Sequence, residues 1–150
     1  MSHIKIVDRI AIAAMFSTIG LVPLAAHACR SHDGTPNAKV TLADGSERRF
    51  YTSGPMGMTT FRVDVSADGK RIAESQVLND TSFRAIESGM TAGQVFERLG
   101  PPYAKTRFDS TRTTAWDYHF RDAWGYDADF SVLIDDSNVV AGKVSVRNGN

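Results

Sequence analysis

Hydrophobic and polar residues alternate along several stretches of the chain, and this period of two is typical of strands with one buried face. The alternation is clear over residues 61–65, 116–120 and 130–134. Further strand patterns cover residues 40–42, 47–51, 71–78 and 139–146. Asp44-Gly45 and Asp68-Gly69 lie between neighbouring patterns and indicate tight hairpin turns. The pattern therefore predicts an antiparallel sheet of about six strands.

Residues 89–102 contain the start and stop signals of one short helix. Thr91 can accept a hydrogen bond from the backbone N–H of Gln94, whose side chain can return one to Thr91, and this pair is a capping box. Gly100 can take the left-handed conformation after the last turn, and the two prolines that follow prevent continuation. A helix of about two turns is too short to be stable alone in water, so it must pack on another surface.

Another short helix is predicted just before this one. Asn79 or Asp80 can cap it, and Phe83 and Ile86 are spaced to face the same side. The predicted fold class is α+β, with two short helices in a hairpin packed on an antiparallel sheet of about six strands.

The order of these elements is also familiar. Gly-Met-Thr at 89–91 is followed by Val95, Leu-Gly-Pro at 99–101, a Trp-x-Tyr strand at 116–118 and Phe-Ser-Val-Leu-Ile-Asp-Asp at 130–136. Over residues 83–147 the chain resembles the small outer-membrane lipoproteins of the BamE (SmpA/OmlA) family. In that family a helical hairpin precedes a three-stranded sheet, and it binds the barrel-forming subunit and its lipoprotein partners.

The resemblance implies a non-enzymatic accessory scaffold subunit in outer-membrane β-barrel protein assembly and envelope integrity. It implies no cofactor, and its partners would be the outer-membrane β-barrel assembly subunits. The strands predicted before residue 79 depart from the compact pattern of the family. A soluble periplasmic protein-binding or inhibitor module is the alternative, because a helical hairpin on an antiparallel sheet is also the shape of protein inhibitors of β-lactamase. That alternative rests on analogy of fold alone.

Residues 1–28 have the pattern of an export signal. Lys5 and Arg9 precede an apolar run over residues 10–24, and residues 26–28 read Ala-His-Ala, which is the small-x-small order of a cleavage site. A retained transmembrane helix is the alternative, because the run approaches the length that spans a bilayer. The small residues at its end favour cleavage, and we expect the mature protein to lie outside the cytoplasm.

Cys29 is the only cysteine in the sequence, so no internal disulfide can form. A lipoprotein signal would cut before Cys29 and attach lipid to it, whereas an ordinary signal would leave a free N-terminal thiol. Ala26 and His27 depart from the usual lipobox, but the family resemblance favours lipidation at the periplasmic face of the outer membrane. We expect residues 29–39 to be the anchor and tether, and residues 40–150 to form one BamE-like domain with extra N-terminal strands.

Candidate catalytic chemistry is sparse. Of the four histidines, His119 alone falls in the predicted folded part, and it shares a strand face with Asp117. A base–carboxylate pair is conceivable, but that face lies opposite the aromatic one, so we expect it to be exposed. No second histidine or cysteine gives metal-ligand spacing, and no glycine-rich loop opens a helix as a phosphate site requires. We predict no catalytic residue, metal or cofactor.

Residues 103–111 predict an exposed loop, and candidate partner-binding residues lie in it and directly after it. Tyr103, Arg107, Phe108 and Arg112 combine aromatic and arginine side chains, which are enriched at protein interfaces. A solvated connection with its aromatic rings on the core is the alternative. With 17 basic and 17 acidic side chains, the chain has no electrostatic footprint for nucleic acid.

The strand patterns over residues 61–65 and 130–134 also match each other. Apolar residues occupy alternate positions at a constant offset of 69, starting with Phe61 and Phe130. Duplication of one unit is one explanation, and two independent hairpins with the same pleat are the other. We prefer the second, because three alternating positions are easily matched by chance.

Overall fold

The computed structural model describes residues 34–53 and 55–149. The export signal, its cleavage site and Cys29 lie outside the described residues. Within the described part, every helix is too short or too polar to cross a bilayer.

Eight strands form two antiparallel sheets in the described residues, and each sheet keeps its strands in chain order. The first sheet contains β1 (Ala38–Thr41), β2 (Glu47–Ser53), β3 (Thr59–Val65) and β4 (Arg71–Gln76). The second sheet contains β5 (Ala104–Phe108), β6 (Thr113–Arg121), β7 (Asp127–Asp135) and β8 (Val140–Arg147). Two helices, α1 (Asp80–Arg84) and α2 (Ala92–Leu99), lie between the sheets in the sequence.

The predicted fold class is wrong, because two four-stranded sheets replace one sheet of about six strands, and the structure is mostly β with only 13% helix. The physical reason is that each strand pairs with its neighbour in the chain. The two helices interrupt this sequence of hairpins after β4, so a new sheet begins at β5. Alternation identifies a strand but carries no information on which sheet it joins.

The predicted loop over residues 103–111 is also wrong, because most of it forms β5. This strand pairs with β6 from Ala104 opposite Asp117 to Phe108 opposite Thr113. It lies at the edge of its sheet and is largely exposed, so both faces carry polar side chains and no alternation marks it.

The local helix signals are confirmed. Thr91 Oγ1 accepts from the Gln94 backbone N–H at 3.2 Å, and Gln94 Oε1 accepts from the Thr91 N–H at 2.9 Å. Gly100 follows α2 with a φ of 78°. At the other helix Asn79, rather than Asp80, is the cap, and its side chain accepts from the backbone N–H of residue 82.

Both helices bury apolar side chains against the second sheet. The Phe83 ring of α1 stacks on Phe130 with centroids 4.1 Å apart and meets Phe120 edge-on at 4.7 Å. Val95 and Leu99 of α2 are fully buried in the same core. Their burial stabilises each helix in its place, which is what a helix of one or two turns requires.

One aromatic ring of the first sheet packs against α2. Phe50 on β2 is fully buried and packs edge-on against Phe96 of α2, with ring centroids 5.9 Å apart. A Cβ atom built on Gly100 would lie only 2.6 Å from Phe50 Cδ1. The hydroxyl of Tyr118, on β6 of the second sheet, donates to the Gly100 carbonyl oxygen at 3.2 Å. The backbone at Gly100 is therefore held between the two sheets.

The two sheets share one pattern of strand pairing. Phe61 on β3 lies opposite Gln76 on β4, and the positions 69 residues later, Phe130 and Ser145, lie opposite each other on β7 and β8. The register shifts between Asp64 and Val65 in β3, and between Leu133 and Ile134 in β7. Alternation alone does not fix the place of such an irregularity.

The turns after β3 and β7 also correspond. The Ser66 N–H donates to the Lys70 carbonyl at 2.8 Å, and the Asp135 N–H donates to the Val139 carbonyl at 2.9 Å, again 69 residues later. Positive φ angles occur at the equivalent turn residues, Gly69 and Asn138. The same turn also closes β1–β2 and β6–β7, where the Leu42 N–H donates to the Ser46 carbonyl and the Asp122 N–H to the Tyr126 carbonyl, each at 2.8 Å. Such a turn with a bulge is a common hairpin connection, so it does not distinguish duplication from two independent hairpins.

We predict that Gly100→Ala lowers the free energy of unfolding by about 2–4 kcal/mol, because a side chain is strained at this φ and its Cβ would overlap the Phe50 ring. Urea denaturation of the full chain measures this loss. Gly125→Ala is the matched control, since Gly125 has a φ of 85° but no atom within 4 Å of an added Cβ. Equal losses for both variants would contradict a specific contact at Gly100.

Candidate functional site

The four candidate partner-binding residues do not form one patch. Tyr103 directly precedes β5 and Phe108 ends it, about 16 Å apart along an extended chain. Arg107 and Phe108 are neighbours on that strand and therefore point to opposite faces. The structure brings only Arg107 and Arg112 together.

Arg107 and Arg112 share one carboxylate. Arg107 Nη1 donates to Asp136 Oδ1 at 2.7 Å, and Arg112 Nε donates to Asp136 Oδ2 at 2.9 Å. Arg107 Nε also donates to Asp109 at 3.1 Å. The hydrogen bonds from Arg107 and then Arg112 hold the pKa of Asp136 below its usual range. These arginines therefore join two neighbouring turns, and an acidic partner would have to compete with Asp136.

The proposed pair of His119 with Asp117 is not formed. Residues two apart on one strand are about 6–7 Å apart, whereas residues that lie opposite each other on neighbouring strands are closer. His119 lies opposite Asp129 on β7, and its Nδ1 contacts the Asp129 carboxylate. Asp117 instead accepts a hydrogen bond from Ser131 Oγ at 2.6 Å.

His119 is also less exposed than the alternation predicts. Only 14% of its side chain is accessible, because the Tyr103 ring packs on the imidazole with centroids 4.1 Å apart. Tyr103 itself is 57% exposed. Tyr103 directly precedes β5, which shows no alternation, so its contact with His119 could not be predicted from the sequence.

A cleft of about 250 Å³, which we call the inter-sheet cleft, lies beside this pair. It is lined by Asn37, Thr52, Gly57, Thr60, Leu78, Pro101, Pro102, Tyr103, Tyr118 and His119. Both sheets therefore contribute to it. The lining residues from the first sheet could not be predicted from the sequence, because single threonines and asparagines carry no motif.

Hydrogen bonds hold much of the polar lining in place. Asn37 Oδ1 accepts from the Thr52 backbone N–H at 2.7 Å, and the hydroxyls of Thr52 and Thr60 lie 3.1 Å apart. Burial raises the pKa of the Tyr118 hydroxyl, which therefore remains a donor to the backbone. His119 Nε2 is buried and has no hydrogen-bond partner among the described residues.

A second groove, of about 310 Å³, runs between α1 and β8. Phe83, Phe130 and Val144 give it an apolar floor. Lys143 lies in this groove, but its Nζ donates to three backbone carbonyls at the end of α1, the shortest being Ile86 at 2.6 Å. Its charge thus stabilises the C-terminal end of the helix.

Exposed aromatic side chains adjoin this groove. Trp124 is 80% exposed and Tyr126 is 51% exposed, and the Arg147 guanidinium lies 4.7 Å from the Tyr126 ring centroid. A depression lined in part by Trp124 and Arg147 shares Asp80 and Ser145 with the groove. We call this continuous region the Trp124 surface; it consists of Phe83, Trp124, Tyr126, Val144 and Arg147.

The described part of the chain contains no group of three or more His, Cys, Asp or Glu side chains that could hold a metal ion. The His119–Asp129 pair, the Asp136 carboxylate and the three depressions described above can bind through hydrogen bonds or apolar contact.

The chain was compared with family models, curated proteins and solved structures, and none of them matches it. The resemblance to the BamE family therefore stays a prediction.

We predict that Asp136→Asn destabilises the protein at neutral pH and not in acid. Because the folded-state pKa of Asp136 is depressed, its stabilising effect is present above the unfolded pKa and is lost as the pH falls through the folded pKa. Urea midpoints for wild type and variant should therefore converge in acid. They should also converge in high salt, since these side chains are exposed.

Asp109→Asn serves as the control for this change. Asp109 pairs with Arg107 through a side chain that is 92% exposed, so its loss should shift the midpoint less. A difference between wild type and Asp136→Asn that persists in acid would contradict an ionic role for Asp136.

Proposed function

We propose that this protein is a lipid-anchored, non-enzymatic lipoprotein of the outer membrane, facing the periplasm. In this proposal it acts as an accessory scaffold subunit in the assembly of outer-membrane β-barrel proteins. The export pattern followed by Cys29 supports the anchor, and the resemblance over residues 83–147 supports the partner class.

The observation that carries a binding role is the Trp124 surface. Large exposed aromatic side chains next to an apolar groove are unusual on a surface that remains in water. Trp, Tyr and Arg are also the residue types that contribute most to binding at protein interfaces. Trp124, at 80% exposure, is the most exposed large hydrophobic side chain of the described residues.

The neighbouring strand offers a second mode of contact. β8 is the last strand of its sheet, and beyond Val140, which exchanges hydrogen bonds with Gly89 and Met90, no further strand of the described residues pairs with its outer edge. Its residues from Lys143 to Arg147 are exposed, and a partner strand can add to such an edge through backbone hydrogen bonds. The groove beside α1 would then receive side chains of the same partner.

We predict that Trp124→Ala weakens capture of β-barrel assembly subunits from a solubilised outer-membrane fraction by roughly tenfold or more, since a central exposed Trp is a typical hot spot. The measurement is a pull-down on the immobilised full chain with quantification of the barrel-forming subunit. Ile72→Ala is the matched control, because Ile72 is 63% exposed and lies outside the Trp124 surface. Equal losses for both variants, or no capture by wild type, would contradict the proposal.

We predict that the mature protein from a membrane fraction begins at Cys29 and carries diacylglyceryl and acyl groups. Intact mass together with sequencing of the N-terminal peptide measures this directly. An unmodified Cys29 with release by osmotic shock would instead favour the soluble periplasmic binding module. An uncut N-terminus would favour a retained membrane span.

A further inference from the structure

Asn148 directly follows β8 and closes the end of its pairing with β7. The Asn148 backbone N–H donates to the Asp127 carbonyl oxygen at 2.9 Å, and the side-chain Nδ2 donates to Asp129 Oδ2 at 3.2 Å. The other oxygen of the Asp129 carboxylate contacts His119 Nδ1. The amide of Asn148 therefore connects the end of β8 to a carboxylate that also holds the imidazole of the neighbouring strand.

The residue after Asn148 is a glycine, and this makes the asparagine amide reactive. A glycine nitrogen has no side chain beside it and its backbone rotates readily, so it can reach the side-chain carbon of the preceding asparagine. Gly149 belongs to no helix or strand and is exposed, and no atom lies within 4 Å of a Cβ built on it. Its N–H donates to no group of the described residues. Nothing in the described part of the chain therefore prevents this approach.

The other asparagines of the described residues are less open to attack. Asn37, Asn79 and Asn138 precede Ala, Asp and Val, whose side chains hinder the backbone nitrogen. The Asn79 side chain is also held at both ends, since Oδ1 accepts from the N–H of residue 82 at 2.9 Å and Nδ2 donates to the Gln76 carbonyl at 2.7 Å. We therefore expect Asn148 to react first.

The reaction needs only the chain and water. The Gly149 backbone nitrogen attacks Asn148 Cγ, the Cγ–Nδ2 bond breaks, and Nδ2 leaves as ammonia with the proton of the Gly149 N–H. Water then opens the five-membered succinimide ring. Cleavage of the bond from nitrogen to Cγ gives aspartate, and cleavage of the bond from nitrogen to the main-chain carbonyl carbon gives isoaspartate. The amide is hydrolysed overall, and no atom is oxidised or reduced.

We propose that Asn148 is a site of spontaneous deamidation, and that its conversion releases the end of β8 from β7. The product carboxylate cannot donate to Asp129 and carries the same charge, so an attractive contact becomes a repulsive one. Arg147, the preceding residue, belongs to the Trp124 surface, so the change occurs next to that surface. The inference does not rest on the proposed function, because the reaction requires no partner.

The first experiment locates the reaction. The folded full chain is kept in mildly alkaline water enriched in heavy oxygen, and its peptides are followed by mass spectrometry. We expect residue 148 to convert before the other described asparagines and to take up the heavy oxygen. Gly149→Val should slow this conversion about tenfold or more, because a β-branched residue restricts the attacking nitrogen. Earlier conversion of Asn37, Asn79 or Asn138, or equal rates with and without Gly149→Val, would overturn the proposal.

The second experiment tests the structural consequence with Asn148→Asp, which reproduces one product. Hydrogen exchange at the backbone amides of Val146 and residue 148 should become about tenfold faster, since a hydrogen bond is lost and a like charge is added. Asn148→Ser removes the amide without adding charge and should have a smaller effect. Asn138→Asp, at an exposed position in the turn before β8, is the matched control and should leave these amides unchanged. Exchange at the wild-type rate in Asn148→Asp would contradict release of the strand end.

Discussion

The contact between the Phe50 ring and the Gly100 backbone is the constraint on which the arrangement of the two sheets depends. The main hydrophobic core consists of residues from the helices, the second sheet and the segment after β4. Among the described residues, this core includes none from β1, β2 or β3. Phe50 connects the first sheet to α2, since it packs on Phe96 and against Gly100, whose lack of a side chain leaves room for the ring. The Tyr118 hydroxyl donates a hydrogen bond to the carbonyl oxygen of the same glycine.

The Arg48 side chain adds an ionic component to this junction. It lies 3.3 Å from Asp64 on the neighbouring strand and 3.7 Å from Glu97 on α2. Such partly exposed pairs contribute little to the free energy of unfolding, typically well below that of a buried aromatic ring. They do, however, penalise rotation of the first sheet relative to α2, because the Asp64 and Glu97 carboxylates must both stay beside the Arg48 guanidinium.

Features that depend on interactions between residues close in the sequence could be predicted, whereas those that depend on distant residues could not. The helix signals were local, and Thr91, Gln94 and Gly100 occupy the roles that their spacing predicts. Strand pairing is not local, so the alternation found most strands but not their division into two sheets. The sequence predicts that Tyr103 is an exposed aromatic residue. Its packing on His119 could not be predicted, because it depends on β5, which has no alternation. Asn37 and Thr60 carry no motif at all, and only the three-dimensional register brings them to the cleft.

The shared register of the two sheets has a consequence for how this chain folds. Two meanders with the same register offer each other alternative strand partners, and tandem units are prone to such misassembly. Two features oppose such misassembly here. The helices separate the two sheets along the chain. The faces of β3 and β7 also differ in charge, since Arg62 and Asp64 of β3 correspond to Ser131 and Leu133 of β7. A β7 strand in the place of β3 would leave Arg48 without the Asp64 carboxylate, so the difference in charge between β3 and β7 favours the correct strand partner during folding.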